Sequence, residues 1–231
     1  MAVESQLSAN IRRGRRFIIT LLVILIGLTM AWMVHLLSQP SAMTQATFDI
    51  LQPENSPSQT SLEPAETAPI HHRTWFTTWT ATPRAAYSID ARVLSTHRYV
   101  LDLYSRFSPI DYALAWGSMH DPQVDAWITW DQYDRWYYYH IPEAAPYELT
   151  DVRDHSANVH IIPANDQLED ALLHVEPGDT IRLEGRLVDI DLNLLGIQFE
   201  MSTSLTRQDA GAGACEILYV EMLVVDGLEY R

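Results

Sequence analysis

The 231-residue chain has no lysine; all 15 of its basic residues are arginine. That absence excludes Schiff-base lysines, Ser–Lys dyads and a phosphate-loop lysine. It has one cysteine, Cys215, which excludes an internal disulfide framework and a Cys-x-x-Cys site. Positive charge is scarce, with 15 arginines against 30 acids and a formal net charge of -15. A nucleic-acid partner needs clustered positive charge, so that class is excluded. What is present is ordinary for a folded chain: 47% hydrophobic and 19% charged residues, with room for one domain and extensions.

The arginines are unevenly placed. Arg12, Arg13, Arg15 and Arg16 stand just before Phe17–Leu37, a run of 21 residues without a formal charge, and no arginine follows until Arg73. About 20 such residues span a hydrocarbon core of about 30 Å. The positive-inside rule then predicts a cytoplasmic basic N-terminus over 1–16 and a transmembrane helix over 17–38, with everything after it outside. A cleaved signal peptide usually has an apolar core of about 7–15 residues and an Ala-x-Ala site. This run is longer, and Thr44-Gln45-Ala46 matches that site poorly. The C-terminal domain is therefore expected on the far side of the membrane from the cytoplasm.

Residues 39–74 hold Pro40, Pro53, Pro57, Pro64 and Pro69 among many Ser, Thr, Gln and Glu. Such a stretch buries too little to offset its ordering entropy and reads as a disordered linker. Residues 75–231 carry 10 arginines and 25 acids and read as a β-rich domain. Tyr87, Ile89, Ala91 and Val93 alternate with polar residues as in a half-buried strand. Ser95-Thr96-His97 is expected to turn the chain into a second strand through Tyr99, Leu101 and Leu103. Ser108-Pro109-Ile110-Asp111 has the pattern of a helix start, with Gly117 as its stop. Trp127–Trp130 and Arg135–His140 predict a hairpin. Asn165 predicts a cap for a helix with Leu168, Ala171, Leu172 and Val175 on one face. Thr180–Ile190 is the clearest strand, with a bulge or bend expected near Gly185–Val188, where the apolar residues switch face. Ile197, Phe199 and Met201 mark another strand, and Ala214–Val225 a central one. The fold expected is mainly β, a small closed or partly open barrel of the OB or SH3-like kind. Two short helices accompany it and one transmembrane helix precedes it. A β-sandwich is the alternative.

Ser156-Ala-Asn-Val-His-Ile-Ile-Pro-Ala-Asn165, Pro177-Gly178-Asp179 and Ser204-Leu-Thr-Arg-x-Asp-x-Gly-Ala-Gly-Ala-Cys-Glu216 resemble segments of a set of bacterial membrane-anchored proteins with no established activity. That resemblance implies an envelope-facing protein, located in the bacterial inner membrane with its C-terminal domain periplasmic, and no particular chemistry. His160, Pro177-Gly178-Asp179-Thr180-Ile181 and Cys215, in that order behind an N-terminal anchor, also resemble sortase transpeptidases. This resemblance implies a cysteine nucleophile with a histidine and an arginine. The chain departs from that pattern: Ala214 rather than Thr precedes Cys215, and Arg207 comes before the cysteine.

The candidate residues support two readings. In the first, the outer domain binds an envelope protein partner through the aromatic hairpin (Trp127, Trp130, Trp136, Tyr138) and a corner at 204–216 that includes Arg207. Exposed Trp and Tyr could also stack sugar rings, with Asp131, Asp134 and Arg135 bonding hydroxyls. In the second, the chain is a cysteine-dependent acyl-transfer enzyme using Cys215, His160 and Arg207, with Asn158 or Asp209 orienting the ring. The bland alternative for Cys215 is a small buried hydrophobe. Gly211–Ala214 has the composition of an anion nest or of a tight loop. His155 and His160, five apart beside Asp151 and Asp154, fit neither common zinc spacing, and His71-His72 falls in the linker. No metal and no cofactor is expected.

Overall fold

The computed structural model describes residues 51–73, 77–206 and 214–231, all within one compact unit, Thr44–Arg231. The 17–38 run lies outside the described residues. Among the described residues no helix is long and apolar enough to cross a membrane.

One strand organises the rest. β3 (Thr77–Arg98) is 22 residues long and alternates buried and exposed positions through most of its length. It pairs antiparallel with β8 (Thr180–Leu194) from Thr77 to Arg92. Its second edge is occupied in turn by β2 (Ile70–Arg73), β1 (Ser58–Thr60) and β4 (Ile110–Ala115). β4 pairs antiparallel with β7 (Ser156–Pro163). β7 pairs parallel with β10 (Glu216–Val225), and β10 pairs antiparallel with β8. The sequence β3–β4–β7–β10–β8–β3 is therefore a closed ring of hydrogen-bonded strands. β9 (Ile197–Met201) and β11 (Leu228–Tyr230) extend it at β8 and β10. β5 (Thr129–Tyr133) and β6 (Trp136–His140) form a separate hairpin.

All five ring strands send side chains to one apolar cluster: Ile89 and Val93, Tyr112 and Leu114, Val159 and Ile161, Leu183 and Leu187, Leu218 and Leu223. Helix α2 (Asp166–Leu173) adds Leu168 and Leu172 to this cluster. Its Asn165 cap accepts from the Leu168 N–H, as the sequence predicts. Helix α1 (Leu149–Asp154) precedes β7. The expected bend in β8 is met by its partners. β3 bulges at Arg84, opposite Leu187 and Val188, and β10 bulges at Glu221, opposite Glu184 and Gly185.

Three expectations are corrected. Residues 108–116 are not a helix: β4 is buried at every position, and a strand covered on both faces loses its alternating pattern. Residues 95–98 do not turn; β3 runs on to pair with β4, and 99–109 is a loop containing no second strand. The described part of the expected linker, 51–73, contributes β1 and β2 to the sheet. Edge pairing needs only backbone groups, so polar residues suffice, and the added strands cover an edge of β3 that would otherwise be open. Pro83 falls in the gap between the β2 and β1 pairings, where its missing N–H costs nothing on that edge.

Candidate functional site

Alternation places Asp111, Asn158 and His160 on the outer face of β4 and β7, opposite the ring cluster. Asp111 and His160 are direct cross-strand partners. Cys215 ends the segment leading into β10, on the side of Ile217, which pairs with His160. This face would be open but for two covers, the loop 99–109 and the hairpin β5–β6. Beneath them Asp111 is 0%, Asn158 1% and His160 4% exposed, while Cys215 stays half-buried.

The polar groups form a row of alternating sign. Asp102 accepts two hydrogen bonds from Arg135, Nε to Oδ2 at 2.6 Å and Nη2 to Oδ1 at 2.8 Å. Arg135 Nη1 donates to Asp111 Oδ1 at 2.9 Å. His160 Nδ1 lies 2.9 Å from the same oxygen, an ion-pair contact off the hydrogen-bond line. The Cys215 side chain lies beside the His160 ring, two residues before Ile217, the cross-strand partner of His160. Asn158 completes the row: its amide donates to Cys215 Sγ at 3.5 Å and to the Arg135 carbonyl at 3.0 Å. Its oxygen accepts from Gln132 Nε2 at 2.7 Å. The Arg135 guanidinium sits 3.6 Å above the Tyr99 ring centre.

Burial by itself would depress the His160 pKa. The side-chain contacts with Asp111 and Cys215, and then the charges of both, outweigh burial and raise it to about 9. The ring is therefore an imidazolium at neutral pH, which balances two acids that share a single arginine. Burial likewise opposes the charged form of Asp102, but the Arg135 hydrogen bonds and charge keep its pKa below the usual carboxylate value. Burial first, and the Asp111 charge second, push the Tyr99 hydroxyl up to about 12.

A cleft of about 90 Å³ opens beside the sulfur, lined by Trp136, Tyr137, Arg153, Asn158, Thr206 and Cys215. A half-exposed thiol with a buried imidazolium behind it, oriented by a carboxylate, can attack an electrophilic carbon and protonate a leaving group.

The expected site residues separate into groups. Cys215 and His160 meet. Asn158 serves the sulfur rather than the ring. Arg207, Asp209 and 211–213 lie outside the described residues. Among the aromatics, Trp136 borders the cleft and Trp130 packs against the cluster around Met119, Val124 and Ile128. Trp127 and Tyr138 are exposed, at 42% and 39%. Tyr138 stacks on Tyr133, with ring centres 4.0 Å apart. Arg135, expected to bond sugar hydroxyls from the hairpin, is instead 11% exposed and committed to two aspartates. His155 hydrogen-bonds with Ser118 and the Asp151 carbonyl. Among the described residues no group of three or more His, Cys, Asp or Glu is placed to hold a metal ion. Asp111 was missed, although a lone acid inside the apolar run Ile110–Trp116 must be paired if that run is a buried strand.

No family model matches the chain, and neither a curated protein nor a solved structure matches it.

Proposed function

We propose that the chain is a single-pass protein of the bacterial inner membrane. Its outer domain, a small barrel of the OB or SH3-like kind, carries a cysteine-dependent acyl-transfer site. Support for the anchor is the uncharged run at 17–38 behind four arginines. Support for the barrel is the closure of five strands around one core. The acyl-transfer reading is carried by one observation: Asp111 and His160 on adjacent strands and Cys215 just before β10 stand in a row, with the sulfur at a cleft and the other two sealed.

In the step this arrangement supports, Cys215 Sγ, as thiolate, bonds to the acyl carbon. The bond from that carbon to the leaving nitrogen or oxygen breaks, and His160 delivers its proton to the leaving group. Water or an amine then attacks the thioester, giving its proton to His160, and the sulfur departs as thiolate. Asp111 keeps the ring in place throughout.

The test is alkylation of the detergent-solubilised full chain by a small chloroacetamide at pH 7, read by mass spectrometry. The expected result is labelling of Cys215 at least about tenfold faster than glutathione, with a loss of about 100-fold in His160→Gln. Labelling at the free-thiol rate, or no effect of His160→Gln, overturns the proposal.

The exposed Trp127 and the Tyr133–Tyr138 stack favour a second, compatible role for the hairpin's outer face: docking an envelope partner. Trp127→Ala with Tyr138→Ala should abolish partner capture by crosslinking while leaving Cys215 labelling intact; unchanged capture removes that role.

A further inference from the structure

We propose that Arg135, in the turn of the β5–β6 hairpin, is a positioning residue whose charge, delivered through Asp111, sets the working pH of the thiol–imidazole pair. The inference rests on the acyl-transfer reading of Cys215 and His160 and deepens it.

The turn itself points to the residue. Asp134 and Arg135 both have positive φ, +50° and +68°. Tight hairpins favour Asn or Gly in these places, and a long side chain in this conformation is strained. An arginine kept there is offset by what its side chain does. It leaves the hairpin, passes over Tyr99, and reaches Asp102, the Ser108 carbonyl and Asp111. Its own carbonyl holds Asn158, whose amide touches the sulfur. One residue of the hairpin thus contacts both supports of the site, Asp111 behind the ring and Asn158 beside the thiol.

The sign of the effect follows from the groups that face the pair. The loop 99–109 presents Tyr99 and Asp102, β4 Asp111, the hairpin Arg135, and α1 Arg153 at the cleft mouth. Asp111 Oδ1 is shared by one permanent cation, Arg135, and one titratable cation, His160. Removing the permanent cation leaves the row more negative. His160 then holds its proton more tightly, a thiolate is less favoured, and both effects raise the pH at which the pair reacts. Removing the far acid, Asp102, makes the row less negative and moves that pH down. Asp102 is 31% exposed, so its effect is the smaller one.

The experiment is the pH dependence of Cys215 chloroacetamide labelling in the full chain, for the wild type, Arg135→Gly, Arg135→Lys and Asp102→Asn. Glycine suits the turn backbone, so Arg135→Gly deletes the guanidinium without straining the hairpin. The expected midpoint of Arg135→Gly is about one pH unit higher, a loss of about tenfold in rate below the midpoint. Arg135→Lys is expected to restore most of the wild-type profile, and Asp102→Asn to shift the midpoint downward. A merely structural role predicts that Arg135→Gly and Asp102→Asn, both of which loosen the hairpin, move the profile the same way or not at all. That outcome overturns the inference, and Asp102→Asn keeps it open to refutation if Arg135→Gly fails to fold. A fast wild-type thiol with an unmoved midpoint in both variants overturns the positioning role alone. A wild-type thiol no faster than glutathione overturns the acyl-transfer reading, and this inference with it.

Discussion

His160 is worth most to the fold as a cation. A free imidazole titrates near 6.5; in the folded chain the ring holds its proton to about 9, because the contacts to Asp111 and Cys215 outweigh burial. A group with a raised folded pKa contributes stability that is fully present below the unfolded value and is lost as pH rises through the folded one. The contribution is on the order of 3 kcal/mol below pH 6.5 and falls away between about 6.5 and 9. Urea unfolding of the wild type and His160→Gln should therefore show a gap that is widest near pH 6 and closes by about that amount towards pH 10. A gap that stays constant across this range would mean that folding does not raise the pKa of the ring. Cys215 and His160 were legible in the sequence as a pair of chemically apt residues. Their orienting acid was not. Ser108-Pro109 before Ile110-Asp111 is good helix-start chemistry, and local chemistry of that kind loses when a strand can bury Tyr112 and Leu114 in the ring while pairing Asp111 on the other face.

Among the elements, β8 shows how ring closure constrains single positions. A Cβ on Gly185 would lie 1.9 Å from the Tyr219 carbonyl oxygen, a backbone atom of β10 that cannot swing aside. The Glu221 bulge brings the two strands together at this point. Gly185→Ala should cost about 3 kcal/mol or more in chemical denaturation. Gly196→Ala, in the open β8–β9 turn at φ +90°, should cost only about 1 kcal/mol through its backbone. Equal costs would mean that β8 and β10 do not approach so closely. The sequence carried the bend in this region, through the face switch from Leu187 to Val188. It did not carry the location of the bulges, because a bulge belongs to a pair of strands and the partners' residues decide which strand takes it. Helix α2 and the β5–β6 hairpin were legible because a cap or a turn with flanking aromatics is a local signal. β1 and β2 were not: their residues are polar, and they are strands only because β3 offers them an edge.

At the scale of the whole molecule, charge and chemistry are segregated along the chain. Residues 1–74 balance five arginines against five acids, and the entire deficit of 15 lies beyond residue 74. The proposed anchor puts this acidic domain outside, where anionic lipid would repel it from the bilayer surface. The cleft at Cys215 would then face the envelope rather than the cytosol. The chain carries its own reporter for this arrangement, since Cys215 is its one cysteine and is half-buried rather than sealed. A membrane-impermeant maleimide added to intact spheroplasts should label the wild type as fully as it labels lysed membranes, and Cys215→Ser should stay blank in both. The domain is folded in both samples, so burial of the sulfur cancels and only sidedness is read. Labelling that appears only after lysis would place the domain in the cytosol and reverse the proposed topology. Release of the labelled chain from the membrane by carbonate washing would instead show that the 17–38 run does not hold it there. In either case an acyl-transfer site could persist, but its substrates would have to be sought in a different compartment.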